Sequence, residues 1–266
     1  MAGNPEPRHF KPSGKENPGF ANDAARTFTA GAFTFGSDEY HDVRPTYPRD
    51  VAELIAEADS LIDVGAGTGK LTSTLVRPGR FVGALDPSIS MLSVLRSRHP
   101  GIPVWRATAE ATGVADSCVD AYVSAQTWHW VDTAAASAEA DRVVKPGGAL
   151  MLCWNTLDVS HPWVLRLSRI SHSGDVHREG FYPSVDAPWR LERELRTRWF
   201  EAVTPEHLFA LARTRSYWLR ANEATRQKLT DNLNWYLYDR LGFDPGQPVP
   251  LPYRTDAFLY RRSGEN

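Results

Sequence analysis

The stretch Leu61-Ile62-Asp63-Val64-Gly65-Ala66-Gly67-Thr68-Gly69-Lys70 decides the fold, because an apolar run ends in an acid and then in three glycines spaced two residues apart. This pattern predicts a buried strand that turns tightly into a helix. Glycines accept positive φ angles and, lacking Cβ, leave backbone N–H groups open to a ligand. We therefore expect a nucleotide-like ligand at this turn.

The glycine spacing distinguishes between the common nucleotide-binding loops. A dinucleotide fingerprint requires a glycine at position 70, which is lysine here, and a phosphate-binding loop requires Ser or Thr where Leu71 stands. Both loops are disfavoured. With Asp63 ahead of the glycines, the run resembles motif I of class I S-adenosylmethionine-dependent methyltransferases. Two other classes stay open as alternatives: an NAD(P)-dependent oxidoreductase on a related fold, and a non-catalytic nucleotide-binding or regulatory protein.

A second apolar run, residues 81–85, ends in Asp86. An acid at the tip of the second strand of a βαβ unit is placed to accept both hydroxyls of an adenosine ribose. The alternative is that Asp86 caps a helix that begins near Ser88. Taken with the resemblance, these segments predict a cofactor site formed by Arg44, Asp63, Gly65, Ala66, Gly67, Asp86, Pro87, Met91, Ala109, Glu110 and Gln126.

Three later segments extend the resemblance. Residues 104–110 match the short strand whose tip lines the adenine, although Thr108 replaces the acid that is common before the Ala-Glu pair. Residues 119–126 match the fourth strand and its active-site loop, and residues 145–154 match the Pro-Gly-Gly turn and fifth strand. The resemblance implies an α/β, Rossmann-like fold: a mostly parallel seven-stranded sheet with helices on both faces and a helical lid insertion.

Segments 44–48, 124–130 and 251–255 are similar to small-molecule methyltransferases of the type 11 group, those akin to trans-aconitate methyltransferase. The similarity implies S-adenosyl-L-methionine as cofactor and a small organic acceptor. Methylation of a hydroxyl or carboxylate oxygen is favoured, and N- or C-methylation stays open. A carboxylate acceptor needs no general base, whereas a hydroxyl or ammonium acceptor must lose a proton.

Histidine and aromatic residues supply the other candidate site residues. His129 is the candidate general base, because imidazole titrates near neutral pH; the alternative is that it only packs between its neighbouring tryptophans. Arg44 is expected to bind the methionine carboxylate or an acidic acceptor, unless it pairs with Asp42. An aromatic acceptor pocket is predicted, with core packing as the alternative for each member, from Tyr47, Trp128, Trp130, Trp154 and Trp163.

Composition limits the partners. The net charge of −2 and a pI near 6.5 give no basic footprint for a nucleic acid. The sequence contains no apolar run of membrane-spanning length and no apolar segment typical of a secretion signal, so we expect a cytoplasmic protein. The sequence leaves open whether it is a monomer or a homodimer. Cys118 and Cys153 are expected to be buried reduced thiols. His161, His172 and His177 match no metal-ligand spacing, and we expect no metal.

The chain is expected to divide into four parts. Residues 1–30 form a poorly ordered leader, 31–155 the cofactor-binding core, 156–190 a helical lid that binds the acceptor, and 191–266 the C-terminal completion of the sheet with acceptor-site helices. Helices are predicted over 51–58, 205–213 and 222–234, and the last strand over 253–260. Residues 191–200 are either a solvated helix or a sixth strand.

Overall fold

The computed structural model describes residues 37–173 and 177–263; the predicted leader, residues 1–30, lies outside them. The helices are α1 (Ser37–Val43), α2 (Arg49–Glu53), α3 (Lys70–Leu75), α4 (Ile89–Arg98), α5 (Thr133–Val143), α6 (Pro162–Ile170), α7 (Pro205–Arg213), α8 (Ser216–Arg220) and α9 (Glu223–Asn234). The strands are β1 (Ser60–Val64), β2 (Phe81–Asp86), β3 (Val104–Arg106), β4 (Val119–Ala125), β5 (Val144–Leu157), β6 (Trp189–Val203) and β7 (Val249–Arg262). A 3₁₀ turn (Trp128–Trp130) follows β4, and a π-helical segment (Trp235–Arg240) follows α9.

The seven strands form one sheet in the order β3-β2-β1-β4-β5-β7-β6. Strand β7 runs antiparallel to the other six, which are parallel to one another, so the sheet is mostly parallel as the resemblance implied. The strand order reverses direction between β1 and β4, and the carboxyl ends of strands on either side of such a point bound a ligand crevice in open α/β sheets. The predicted Rossmann-like fold is therefore confirmed.

Helices cover both faces of the sheet. Alternate residues of β1 point to opposite sides, so that Ile62 packs in the cluster that holds α5, whereas Leu61 packs with α2 and α3. A third apolar cluster lies beyond the carboxyl end of β5 and the amino end of β7, and it holds α6, α7, α9 and the π-helical segment. This third cluster forms a cap that closes over the sheet edge, and we call it the helical cap.

Several local predictions have clear outcomes. Helix α7 begins at Pro205 after Thr204, whose hydroxyl accepts from the His207 amide, and α9 begins after Asn222 in the same way. Residues 191–200 belong to strand β6, so the helix alternative is wrong. Helix α2 ends at Glu53, and residues 54–57 continue only as turns. No helix of the described residues is long and apolar enough to cross a membrane.

The segment 156–190 differs most from its prediction. Within its described part it contains one helix, α6, which packs inside the helical cap. Residues 177–189 instead lie against the α5 face of the sheet, where the Trp189 indole N–H donates to the Ser137 carbonyl at 3.0 Å. At the carboxyl ends of the parallel strands, α7 of the helical cap and residues 40–47, which precede the core, contribute to the lining of the cavity.

Candidate active site

The cavity at the carboxyl ends of β1, β2, β4 and β5 is bounded by the glycine loop on one side and the helical cap on the other. The eleven predicted residues that line it are Arg44, Tyr47, Asp63, Gly65, Ala66, Gly67, Asp86, Pro87, Met91, Gln126 and Trp130. Most of the cofactor site predicted from sequence is therefore brought together in one place.

The glycine loop has the geometry that its sequence predicts. Gly65, Gly67 and Gly69 have φ angles of 70°, 55° and 88°, which only glycine adopts freely. A Cβ on Gly65 would lie 2.3 Å from the Thr127 side chain, whereas a Cβ on Gly67 would meet nothing within 4 Å. Gly65 is thus required for packing, and Gly67 leaves open space beside the cavity for a ligand.

Asp86 is fixed at the end of β2 by two backbone donors. Its Oδ2 accepts from the Gly67 amide at 2.9 Å, and its Oδ1 accepts from the Ser88 amide at 2.8 Å. Burial raises the pKa of Asp86, while these two hydrogen bonds act in the opposite direction. The N-cap of α4 is Ser88, which accepts from the Met91 amide, so the helix-cap alternative for Asp86 does not hold.

Asp63 is an almost completely buried acid on β1, with 1% of its surface exposed. The Thr72 hydroxyl donates to its Oδ2 at 2.6 Å, and its Oδ1 has no donor among the residues that the structure describes. Burial raises the pKa of Asp63 to about 7; the Thr72 hydrogen bond lowers it and the Asp86 charge raises it. The side chain is therefore suited to receive a cationic ligand.

Residues 40–47, which precede the core in the sequence, form part of the cavity wall, and we call this segment the strap. Arg44 donates to Thr214 through Nε to the hydroxyl at 3.1 Å and through Nη2 to the carbonyl at 3.4 Å. Asp42 pairs with Arg98 at 2.9 Å, so the proposed pairing of Asp42 with Arg44 is wrong. The strap is thus tied to the end of α7.

Thirteen further described residues line the cavity although the sequence analysis did not assign them to the site, and six of them are Tyr40, Lys70, Asn155, Leu211, Arg215 and Tyr253. Arg215 is 5% exposed and follows the last turn of α7. Burial lowers the pKa of Lys70, while the charges of Glu201 and Asp42 act in the opposite direction. Tyr253 lies in the 251–255 segment that carried the family resemblance, which was the one available signal; nothing in the sequence around Arg215 pointed to the cavity.

The other six predicted residues lie outside the cavity lining. Ala109 is buried in the core, and the Glu110 carboxylate accepts from the Asp132 amide at 3.0 Å. Trp128 and Trp154 are each 2% exposed, because residues 177–189 cover them: the Trp128 indole donates to the Ser184 carbonyl at 2.8 Å, and Trp154 contacts Phe181. Trp163 packs in the helical cap. These side chains are packing residues in this structure.

His129 also lies outside the cavity lining. The Trp154 indole N–H donates to its Nδ1 at 3.4 Å, and its ring contacts those of Trp130 and His177. This arrangement matches the packing alternative. His161 and His172 lie against other rings: His161 contacts Phe200 and His172 stacks on Tyr217. Of the two thiols, Cys153 is buried as expected and Cys118 is exposed.

The sequence of this chain is similar to those of known proteins. The methyltransferase domain family matches residues 62–152, a range that begins within β1 and ends within β5. An uncharacterized methyltransferase of Mycobacterium tuberculosis (strain ATCC 25618 / H37Rv) is 37% identical over 229 residues, which are 84% of this chain and 93% of that protein. The chain belongs to the class I S-adenosylmethionine-dependent methyltransferases.

Two more distant similarities were also found. An uncharacterized methyltransferase-like protein of Schizosaccharomyces pombe is 36% identical over 147 residues, covering 52% of this chain and 57% of that protein. The solved structure of a type II methyltransferase candidate from Anaeromyxobacter dehalogenans has a TM-score of 0.62 at 22% identity, over 81% of this chain and 97% of that one. The similarity to this solved structure shows the fold alone. This methyltransferase is accordingly an enzyme, and the two alternative classes are set aside.

Proposed function

We propose that this methyltransferase transfers the methyl group of S-adenosylmethionine to an oxygen of a small carboxylate acceptor, giving a methyl ester. The observation that carries the proposal is the placement of Arg215, a residue that is 5% exposed and lines the same cavity as the glycine loop. Arginine binds carboxylates through paired hydrogen bonds. The predicted resemblance to enzymes akin to trans-aconitate methyltransferase agrees with this choice.

The charges of the lining support an anionic acceptor. Among the described residues, three basic side chains, Arg44, Lys70 and Arg215, and two acidic ones, Asp63 and Asp86, line the cavity. The cofactor is itself a net cation, so the lining and the cofactor together leave an excess of positive charge. In a partly desolvated cavity this excess favours a negatively charged second ligand.

The residues present fit the cofactor. Gly65, Ala66 and Gly67 would hold its amino-acid half, Asp86 the ribose, and Pro87 with Met91 the adenine. The open space beside Gly67 supports this fit, since a Cβ there would meet nothing within 4 Å. Arg44 is proposed to bind the methionine carboxylate. When bound, S-adenosylmethionine supplies an electrophilic methyl group on a positively charged sulfur.

The protein's task is then alignment and exclusion of water. With the cofactor bound, the chain would have to hold a carboxylate oxygen in line with the methyl group, so that a lone pair of that oxygen would form the C–O bond while the methyl–sulfur bond pair would stay on sulfur. No proton moves, so no general base is required, which agrees with the position of His129 outside the cavity. The strap and α7 would keep water from the aligned groups through the contact of Arg44 with Thr214.

The test uses S-adenosylmethionine with a radiolabelled methyl group and a panel of small aliphatic and aromatic carboxylic acids. The amide of each acid serves as the matched neutral control. Mild alkali hydrolyses a methyl ester and releases labelled methanol, whereas methyl ethers and N-methyl products keep the label. Release from acids but not amides is expected; alkali-stable label would exclude ester formation.

A further inference from the structure

Three side chains of the helical cap line the cavity with carbon-rich surface: Leu157, Leu211 and Tyr253. We call these three residues the apolar wall. Each is 3% exposed, so almost all of its surface is buried in the protein. Close packing within the cap holds the three side chains in place, because protein interiors leave few voids. The cavity is therefore bounded here by a fixed surface that offers a ligand mainly carbon atoms.

The apolar wall is assembled from elements that are far apart in the sequence. Leu157 and Tyr253 lie opposite each other in the register of β5 and β7, and directly opposed residues project to the same side of a sheet. The Tyr253 ring stacks on that of Trp199, with ring centroids 5.1 Å apart. Leu211 comes from the last turn of α7. The wall thus joins the end of the sheet to the helical cap.

The order of the strands separates the apolar wall from the proposed cofactor residues. Gly65 and Gly67 follow β1 and Asp86 ends β2, whereas β4 lies between β1 and β5, and β7 lies beyond β5. Neighbouring strands are about 4.8 Å apart, so β5 lies roughly 10 Å from β1 across the sheet. The wall therefore lines a part of the cavity that the proposed cofactor site leaves for the acceptor.

Arg215 supplies a positive charge close to the apolar wall. It follows Leu211 by four residues, and both line the cavity. The four other charged residues of the described lining belong to the strap, to α3 and to strands β1 and β2. One carboxylate beside Arg215 would be paired, whereas a second one lying on the wall would lose water without gaining a cation. The lining thus matches a ligand with one anionic group and an apolar remainder.

Resting on the proposed methyl transfer to a carboxylate, we infer that the acceptor is a monocarboxylic acid with an apolar tail, which packs on Leu157, Leu211 and Tyr253 while Arg215 binds the carboxylate. The apolar wall then determines the specificity of the acceptor site. Each tail methylene buried against it strengthens binding about three- to fourfold. Acids with several carboxylates, trans-aconitate among them, place a second charge against carbon atoms and are disfavoured.

The experiment measures methyl-ester formation by the full chain on matched pairs of acids, with methyl-labelled S-adenosylmethionine. Hexanoate is compared with hexanedioate, octanoate with octanedioate, and phenylacetate with 4-carboxyphenylacetate. The members of each pair differ by a second carboxylate at the far end. We expect kcat/KM to be at least about tenfold higher for each monoacid. From acetate, which has no tail, to hexanoate, kcat/KM should increase about threefold for each added methylene.

Leu211→Ala removes part of the apolar wall, and Leu208→Ala is the matched control. Leu208 also lies on α7, is 1% exposed and packs in the same cluster, but it is not part of the cavity lining. Leu211→Ala is expected to lower kcat/KM about three- to tenfold for octanoate and less than about twofold for acetate. Leu208→Ala should lose similar stability but keep the wild-type preference for octanoate over acetate, as should Leu211→Met.

Three results overturn the inference while ester formation itself stands. These are equal or faster turnover of the diacids, the same change of preference in Leu211→Ala and Leu208→Ala, and a loss of S-adenosylhomocysteine affinity in Leu211→Ala, measured by calorimetry, that accounts for its lost turnover. Absence of alkali-labile label with every acid would show instead that the proposed function is wrong, and the inference with it.

Discussion

The Gly67 amide donates to Asp86 Oδ2 at 2.9 Å, so the glycine loop and the acid at the end of β2 are joined directly before any ligand binds. The contact holds the carboxylate toward the cavity, with lone pairs left for further donors. It also means that a substitution at Asp86 removes a contact within the loop as well as the proposed ribose contact.

We expect Asp86→Ala to weaken S-adenosylhomocysteine binding by about 1.5–3 kcal/mol, because charge-assisted hydrogen bonds to the ribose are lost. Calorimetry measures the loss. Asp116→Ala is the control, because Asp116 is an exposed acid that is not part of the cavity lining. Unchanged affinity in a variant with wild-type thermal stability would remove the ribose assignment.

Cofactor binding should depend on pH through Asp63. Because the pKa of the buried carboxyl is about 7 and the cofactor is cationic, binding favours the ionised form. Below pH 7 a proton must be released on binding, so affinity should fall by up to about tenfold per pH unit. Asp63→Asn should bind more weakly and lose this dependence; a wild-type affinity that is flat between pH 5.5 and 8 would contradict the assignment.

As pH rises, the stability of the ligand-free protein should fall, whereas its affinity for the cofactor should rise. The pKa of Asp63 is raised from 3.8 to about 7 by folding, so between these values the folded state holds a proton that the unfolded state has released. The free energy of unfolding contributed by this group therefore falls as pH rises through that interval. Denaturant unfolding of wild type and Asp63→Asn at pH 5 and pH 8 isolates the contribution.

Local patterns account for what the sequence predicted well. The glycine loop and Asp86 lie at strand ends fixed by a short βαβ unit, so spacing along the chain determines their meeting in space. Arg215 and Asn155 reach the cavity only because α7 and the extension of β5 fold over the sheet edge. Trp128 shows the reverse: it follows β4 where a pocket wall is expected, but residues distant in sequence cover it.

Replacement of Arg215 tests the acceptor site. Arg215→Leu should raise the KM for the best carboxylate acceptor by about 10–100-fold, the loss of charged hydrogen bonds, while cofactor affinity changes less than about twofold. Arg213→Leu, at the exposed last residue of α7, is the matched control. An equal effect of both variants, or an effect of Arg215→Leu on the cofactor alone, would contradict the assignment.

The first two loop glycines should respond differently to alanine. Gly65→Ala brings a Cβ within 2.3 Å of Thr127 at positive φ and should cost on the order of 2–3 kcal/mol of stability. Gly67→Ala should cost about 1 kcal/mol, since its Cβ meets no atom, but should weaken cofactor binding by filling the ligand's space. Denaturant unfolding and calorimetry on both variants give the comparison; a Gly67→Ala protein with wild-type affinity would show that no ligand approaches this backbone.

The effect of replacing His129 depends on whether the acceptor must lose a proton to take the methyl group. The Trp154 indole N–H occupies its Nδ1 at 3.4 Å, and the ring packs against Trp130, which does line the cavity. Loss of the imidazole should therefore act through packing. For a carboxylate acceptor we expect His129→Ala to lower kcat by less than about threefold, to leave cofactor affinity unchanged and to lower the melting temperature by several degrees.

A general base would give a different result. If the acceptor is a hydroxyl or an amine that His129 deprotonates, His129→Ala should lower kcat by about 10²–10⁴-fold and remove the acid limb of the pH–rate profile. Profiles of wild type and variant, measured on an acid acceptor and on a hydroxyl acceptor of similar size, separate these cases. A large kcat loss on the acid acceptor would contradict the base-free mechanism, because no proton leaves an ionised carboxylate when its oxygen takes the methyl group.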